Sequence, residues 1–285
     1  MSQTLLATKK RITSIESTQK ITAAMKLVSS VKLKQQMKRL EGNTLFADEI
    51  KHVVSKVLAS IDDVSSIYMQ DNGANKKLYI IDTSTLGLCG SYNFNVYKLV
   101  DEIVHEGDDV IIIGTKGQTH YKNSKFNFIH QFDGIDSNDV NKLAPLLKNF
   151  ALNAFEKGIY NEISMIYTHY KNSITFVASK EQLFPVKFEE TKDDKIEIEP
   201  LLEPNSSEVI NLLVPIYVQT MVLSRLIESA VSEQASRRNA MENATDNAQE
   251  LVDELKIEYN KARQNAITSQ IIEVVSASTN LQGGD

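Results

Sequence analysis

Helix breakers are scarce at the two ends of this 285-residue chain and concentrated in its middle. All five prolines fall between Pro145 and Pro215, and eight of the eleven glycines fall between Gly73 and Gly158. No glycine or proline precedes Gly42, and none occurs from Ile216 to Gln282. Runs of that length predict single helices far longer than the usual ~10–14 residues. Two long terminal helices around a compact middle predict ends that fold back on each other, the outline of a mechanical part such as a shaft. One cysteine, Cys89, excludes an intrachain disulfide and a cysteine-based zinc cluster, and fits a reducing compartment. No apolar run reaches the ~20 residues of a membrane span. The start, MSQTLLATKKRI, lacks the apolar core of a signal peptide.

The residues present are those of an ordinary core-forming protein: 42% hydrophobic, 24% charged, net charge −6. The charge is polarised. Nine basic residues from Lys9 to Arg39 face a lone Glu16. Glu242, Asp246, Glu250, Asp253, Glu254 and Glu258 are offset only by Lys256. A basic helix suits nucleic acid or anionic lipid; it equally complements an acidic helix of the same molecule. Ile21, Ala24, Val28 and Val31 mark one helical stripe, and Met241, Ala244, Ala248, Leu251 and Leu255 a heptad seam. A seam of that length needs a partner. The N-terminal helix is the one of matching length, and the connectivity makes the pairing antiparallel, with Lys9–Lys20 near the acids at 242–258.

The middle changes period. Leu78–Ile81 and Val110–Ile113 are short apolar runs that read as buried strands. Ile163–Tyr167 and Ile174–Val177 read as further strands. Helices are expected over Asn95–His105 and Asn138–Glu156, the second broken or kinked at Pro145. This alternation predicts a mostly parallel sheet with covering helices. Lys187–Pro204 is acidic and reads as an exposed connection. The expected organisation is an α/β protein with a long antiparallel coiled-coil shaft, residues 1–60 and 205–285, and an inserted Rossmann-like domain, residues 76–200.

No catalytic constellation emerges. Gly87-Leu88-Cys89-Gly90 and Gly114-Thr115-Lys116-Gly117 each follow a strand, as phosphate-cradling loops do. Neither matches the Walker or dinucleotide fingerprint, and tight turns that need glycine are the alternative. Cys89 has no charged immediate neighbour to activate it. His52, His105, His120, His130 and His169 lack close ligand spacing. No cofactor, metal or catalytic residue is expected.

RITSIESTQKITAAMKLVSSVKLKQ (11–35), DTSTLGLCGSYN (82–93), SEQASRRNAMENATDNA (232–248) and YNKARQNAITSQIIEVVSAS (259–278) together resemble the gamma subunit of F-type ATP synthases, the central-stalk rotor. The resemblance runs the whole length, in order. Gln270, Ile272 and Ser276 depart from the family's usual Glu, Thr and Gly. It implies a non-catalytic subunit that couples proton-driven ring rotation to ATP synthesis or hydrolysis in the beta subunits and regulates them. The implied partners are the alpha and beta subunits, the epsilon subunit and the membrane ring of c subunits, with no nucleic acid and no direct lipid insertion. The implied location is peripheral, on the cytoplasmic face of a bacterial inner membrane. Arg263, Gln264, Thr268 and Glu273 are similar to shaft-tip residues that meet the beta subunits. Met25, Glu233 and Arg237 are similar to a lower collar facing the hexamer, and Glu203 to a foot residue facing the ring. A nucleotide-binding α/β domain with a dimerising coil, and a basic-helix nucleic-acid binder, remain as alternatives. The second lacks aromatic residues among its basic ones.

Overall fold

The computed structural model describes residues 2–59, 66–132, 139–187, 202–203 and 205–282. Most of the expected connection at Lys187–Pro204 lies outside them. Two helices frame the chain, α1 (Ser2–Ala59) and α5 (Ser206–Gln282). Between them lie β1 (Lys77–Asp82), α2 (Tyr92–Ile103), β2 (Asp109–Ile113), α3 (Thr115–Tyr121), β3 (Asn127–Phe128), α4 (Val140–Glu156), β4 (Glu162–Tyr170) and β5 (Phe176–Phe184). The α1 helix continues through Gly42, where a Cβ would meet open space. Of the break or kink expected at Pro145, the break does not occur: α4 is one helix with that proline inside it.

The chain divides into two compact units, 1–28 with 238–285, and 29–237. These boundaries differ from the expected ones, because parts of both long helices belong with the α/β region. The first unit is an antiparallel helix pair. Ile12 packs with Val252 and Leu255, flanked by Ile15 and Tyr259. Further along, the layers turn polar. Gln19 Nε2 donates to Gln249 Oε1 at 2.8 Å, and Thr245 Oγ1 meets Thr22 Oγ1 at 2.8 Å. Lys26 pairs with Glu242 at 2.7 Å, and Glu16 with Lys256 at 3.0 Å. Polar seam residues fix register at some cost in stability. Apart from Glu16, the contacts on α1 follow a three–four step: Ile12, Ile15, Gln19, Thr22, Lys26.

Ile21, Val28 and Val31 are exposed, so the stripe they form lies outside the seam. One expectation about α5 needs correction. On α5, Val252 is buried and Leu251 is exposed, so the seam runs through Met241, Thr245, Ala248, Val252 and Leu255. Adjacent apolar residues made either phase possible from the sequence, and contact with Ile12 selects one of them.

In the second unit, five strands form one sheet in the order β3-β2-β1-β4-β5. The first four are parallel, and β5 pairs antiparallel with β4. That last strand begins at Phe176, two residues later than Ile174, which is exposed. Both sheet faces are covered, which is why β1 and β2 read as continuous apolar runs. Tyr79, Ile81, Val110 and Ile112 pack with Val96 and Val100 of α2 and Tyr121 of α3. Leu78, Ile80, Ile111 and Met165 pack with Leu143 and Leu147 of α4, with Leu33 and Val54 of α1, and with Val218 and Leu226 of α5. The apolar part of α5 has a mean hydropathy of 1.5 over 18 residues, enough by composition to cross a membrane. Ile210, Val214, Val218, Val222 and Leu226 are instead the core of this unit.

Candidate functional site

In open α/β sheets the ligand crevice lies beyond the carboxyl ends of the strands, where strand order reverses. Here that point is between β1 and β4, and α5 sits in it. Three serines on one stripe of α5 make the attachment. Ser229 Oγ accepts the Thr168 N–H at 3.0 Å, and Ser232 Oγ donates to the Thr168 carbonyl at 3.2 Å. Ser236 Oγ donates to the Cys89 carbonyl at 2.7 Å. Hydroxyls meeting the Thr168 and Cys89 backbone groups allow a polar backbone to be buried under a helix.

One turn of α5 carries Glu233 and Arg237, both buried, with Arg237 Nη1 2.6 Å from Glu233 Oε1. The guanidinium also donates from Nη2 to the Leu86 carbonyl at 2.8 Å and from Nε to the Gly87 carbonyl at 3.3 Å. Expected as partner-facing collar residues, these two side chains are occupied inside the chain. Their geometry is that of a clasp on the 84–90 turn. Guanidinium suits this place because its planar fork serves a carboxylate and two carbonyls at once.

The two glycine loops are tied to each other. The Gly117 N–H donates to Thr83 Oγ1 at 3.1 Å and the Lys116 N–H to the Ser84 carbonyl at 3.1 Å. Thr115 Oγ1 donates to the Thr85 carbonyl at 2.8 Å. Two backbone donors of the 114–117 loop, the Lys116 and Gly117 N–H groups, are thus used within the protein, which favours the tight-turn reading there. Cys89 is buried, with Asn93 Nδ2 3.4 Å from its sulfur. Among the described residues, no three His, Cys, Asp or Glu side chains are grouped to hold a metal.

The remaining expected contact residues lie at the surface or near it. Met25 is half-buried on α1, in the helix-pair unit. Glu203 is exposed at a bend ahead of α5. Arg263, Gln264, Thr268 and Glu273 are exposed on the distal part of α5, where Thr268 Oγ1 donates to the Gln264 carbonyl at 3.0 Å. Around them Ile257, Ile267, Ile271, Ile272, Val274 and Val275 are exposed too. Single exposed apolar residues are ordinary, but a sustained run on one helix is the composition of a contact surface.

The seating of α5 by Ser229, Ser232 and Ser236 escaped the sequence reading. The three serines, spaced three and four apart on one stripe of α5, were the available signal for a helix seated on backbone.

An ATP synthase family model matches residues 4–281. The chain is 38% identical over 283 residues to the ATP synthase gamma chain of Ureaplasma urealyticum, covering 95% of this chain and 98% of that one. It is 34% identical over 277 residues to the ATP synthase gamma chain of Clostridium novyi, covering 96% and 97%. Its fold is similar to that of a chain in the cryo-EM structure of the Euglena gracilis mitochondrial ATP synthase, OSCP/F1/c-ring, rotational state 3. That match has a TM-score of 0.72 at 19% identity and covers 100% of this chain and 96% of the other. A long helix pair, a parallel sheet with α5 in its crevice, and this whole-length likeness converge: the chain belongs to the ATP synthase gamma-chain family.

Proposed function

We propose that the chain is the non-catalytic rotor of the central stalk. It transmits torque between a membrane ring of c subunits and a hexamer of alpha and beta subunits, with the epsilon subunit beside it, and so couples ring rotation to ATP synthesis or hydrolysis and regulates both. The observation that carries this reading is the distal surface of α5. From Ile267 to Leu281 the one charged residue is Glu273, and Ile267, Ile271, Ile272, Val274 and Val275 are exposed. A shaft turning in an apolar sleeve has to avoid strong pairs that would trap one angle. Such a surface acts on each catalytic site only through differences in contact energy. Exposed Ile21, Leu27 and Val28, with half-buried Met25, give α1 a second apolar surface of the same kind.

In this reading Arg263, Gln264, Thr268 and Glu273 contact the beta subunits at the tip, Met25 contributes at the collar, and Glu203 faces the ring. Glu233 and Arg237 act from within, by holding the 84–90 turn in place. The location is peripheral, on the cytoplasmic face of the bacterial membrane that carries the ring. A nucleotide-binding role for the α/β region is disfavoured by α5 filling the crevice. Affinity purification of the tagged full-length chain tests the proposal. Alpha and beta subunits are expected in stoichiometric amounts; their absence, or nucleotide bound to the full chain by calorimetry, would sink it.

A further inference from the structure

One edge of the sheet stops short. β2 runs for five residues, Asp109–Ile113, but β3 pairs with it at two, Asn127 with Asp109 and Phe128 with Val110. The Ile129 N–H still donates to the Val110 carbonyl at 2.9 Å, and the chain then enters a short turn at His130–Phe132. The carboxyl end of β2 is left without a strand beside it. A side chain of α3 serves it instead: Gln118 Nε2 donates to the Ile112 carbonyl at 3.0 Å. The gap is a cavity of about 160 Å³ lined by Ile112, Gln118, Lys122, Phe128, Ile129 and His130. It lies at the carboxyl end of the strands, where α/β sheets take ligands, and α5 contributes nothing to its lining. Sites for drug-sized ligands measure ~300–1,000 Å³, so the occupant here is smaller.

The lining decides what kind of occupant fits. Ile112, Phe128 and Ile129 are apolar, and the Phe128 ring stacks with that of His130, centroids 5.9 Å apart and planes 26° apart. Lys122 and His130 are exposed and bring nitrogen donors, and no lining residue is an acid. Nearby carboxylates are engaged elsewhere. Asp101 accepts from the Tyr121 phenol at 2.9 Å, Glu106 pairs with Lys125 at 2.9 Å, and Asp109 accepts from the Tyr160 phenol at 2.8 Å. We propose that this cavity binds a small aromatic carboxylate. The ring lies against Ile112, Phe128 and Ile129, where it displaces water from apolar walls. The carboxylate meets the Lys122 ammonium, with His130 beside it, as a charge-assisted contact. Bound there, the acid joins the end of α3 to the chain beyond β3 and fills the place of the missing strand. A ring without the charge forgoes the lysine, and an inorganic anion leaves the apolar walls wet.

The test uses the full-length chain labelled with ¹³C at isoleucine methyls, with benzoate as the probe. At millimolar concentrations benzoate should shift the methyl resonances of Ile112 and Ile129, assigned through Ile112→Val and Ile129→Val. Those of Ile80 and Ile163, in the core on the other face of the sheet, should stay in place. Benzyl alcohol, the ring without the charge, and inorganic phosphate, a charge without the ring, should each bind about tenfold more weakly or worse. Lys122→Met keeps the apolar stem and removes the charge, and should weaken benzoate binding about tenfold. Its unmoved Ile80 and Ile163 resonances would show that it folds. Unshifted Ile112 and Ile129 methyls in the parent would overturn the proposal. So would benzyl alcohol or phosphate binding as tightly as benzoate, comparisons that need no variant, or equal benzoate affinity in a folded Lys122→Met.

Discussion

Gly114 passes so close to Thr83 that a Cβ built on it would lie 2.1 Å from the Thr83 carbonyl oxygen. The backbone there has φ 88°, a region that side chains avoid. The contact joins the ends of β1 and β2, where Thr83 Oγ1 also donates to the Ile113 carbonyl at 2.6 Å. Gly114→Ala is therefore expected to destabilise the chain by more than about 3 kcal/mol, through the clash and the strain together.

Gly87 is the contrasting case. A Cβ there would touch the flexible end of Lys116 at 3.4 Å, and φ is not positive. Gly87→Ala should cost less than ~1 kcal/mol. Urea denaturation of both variants checks the pair of predictions, and equal losses would contradict them. In the 84–90 turn the demand for unusual backbone falls on Leu88 at φ 61° and Gly90 at φ 57°.

Removal of one partner from a buried, hydrogen-bonded ion pair leaves the other charge uncompensated, at a cost of about 3–5 kcal/mol. Arg237→Ala should lose that much, and Arg237→Lys should recover little of it, because an ammonium cannot reach Glu233 and two carbonyls as a planar fork does. Thermal unfolding of the two variants is the check. Full recovery in the lysine variant would show that charge alone matters.

Glu162 gives the acid limb of the stability profile. Burial raises its carboxyl, but the hydrogen bonds from Lys180, Ser164 and Lys77, with the Lys180 charge, outweigh it and bring it down to about 2. Since the folded value is depressed, its contribution is present above the unfolded value of about 4.3 and is lost as pH falls toward about 2. Glu162→Gln should flatten the loss of stability over that interval and leave the slope at neutral pH unchanged. An unchanged acid limb would remove Glu162 from the account.

Much of this was legible in the sequence, for reasons that differ by element. Helix length followed from the missing breakers. The α/β alternation followed from apolar runs such as Val110–Ile113, whose burial on both faces leaves no period of two to misread. The phase of the helix pair was not legible. Leu251 and Val252 are both apolar, and Ile21, Val28 and Val31 make a convincing stripe on the side that faces out. Partner choice decides phase, and a single helix does not record it. The clasp was hidden for a related reason. Glu233 and Arg237, one turn apart, look like any exposed helical ion pair, and only the carbonyls of Leu86 and Gly87, some 150 residues away in the chain, give the guanidinium its setting.

A rotor of the central stalk has to turn inside the hexamer. A reporter attached to this chain within the alpha–beta hexamer, observed one molecule at a time with ATP present, tests it directly. Stepwise rotation in one direction is expected. Arg263→Ala, with a guanidinium removed from the tip, should reduce the torque while the chain stays folded and assembled. A reporter that stays fixed while the hexamer hydrolyses ATP would contradict the account.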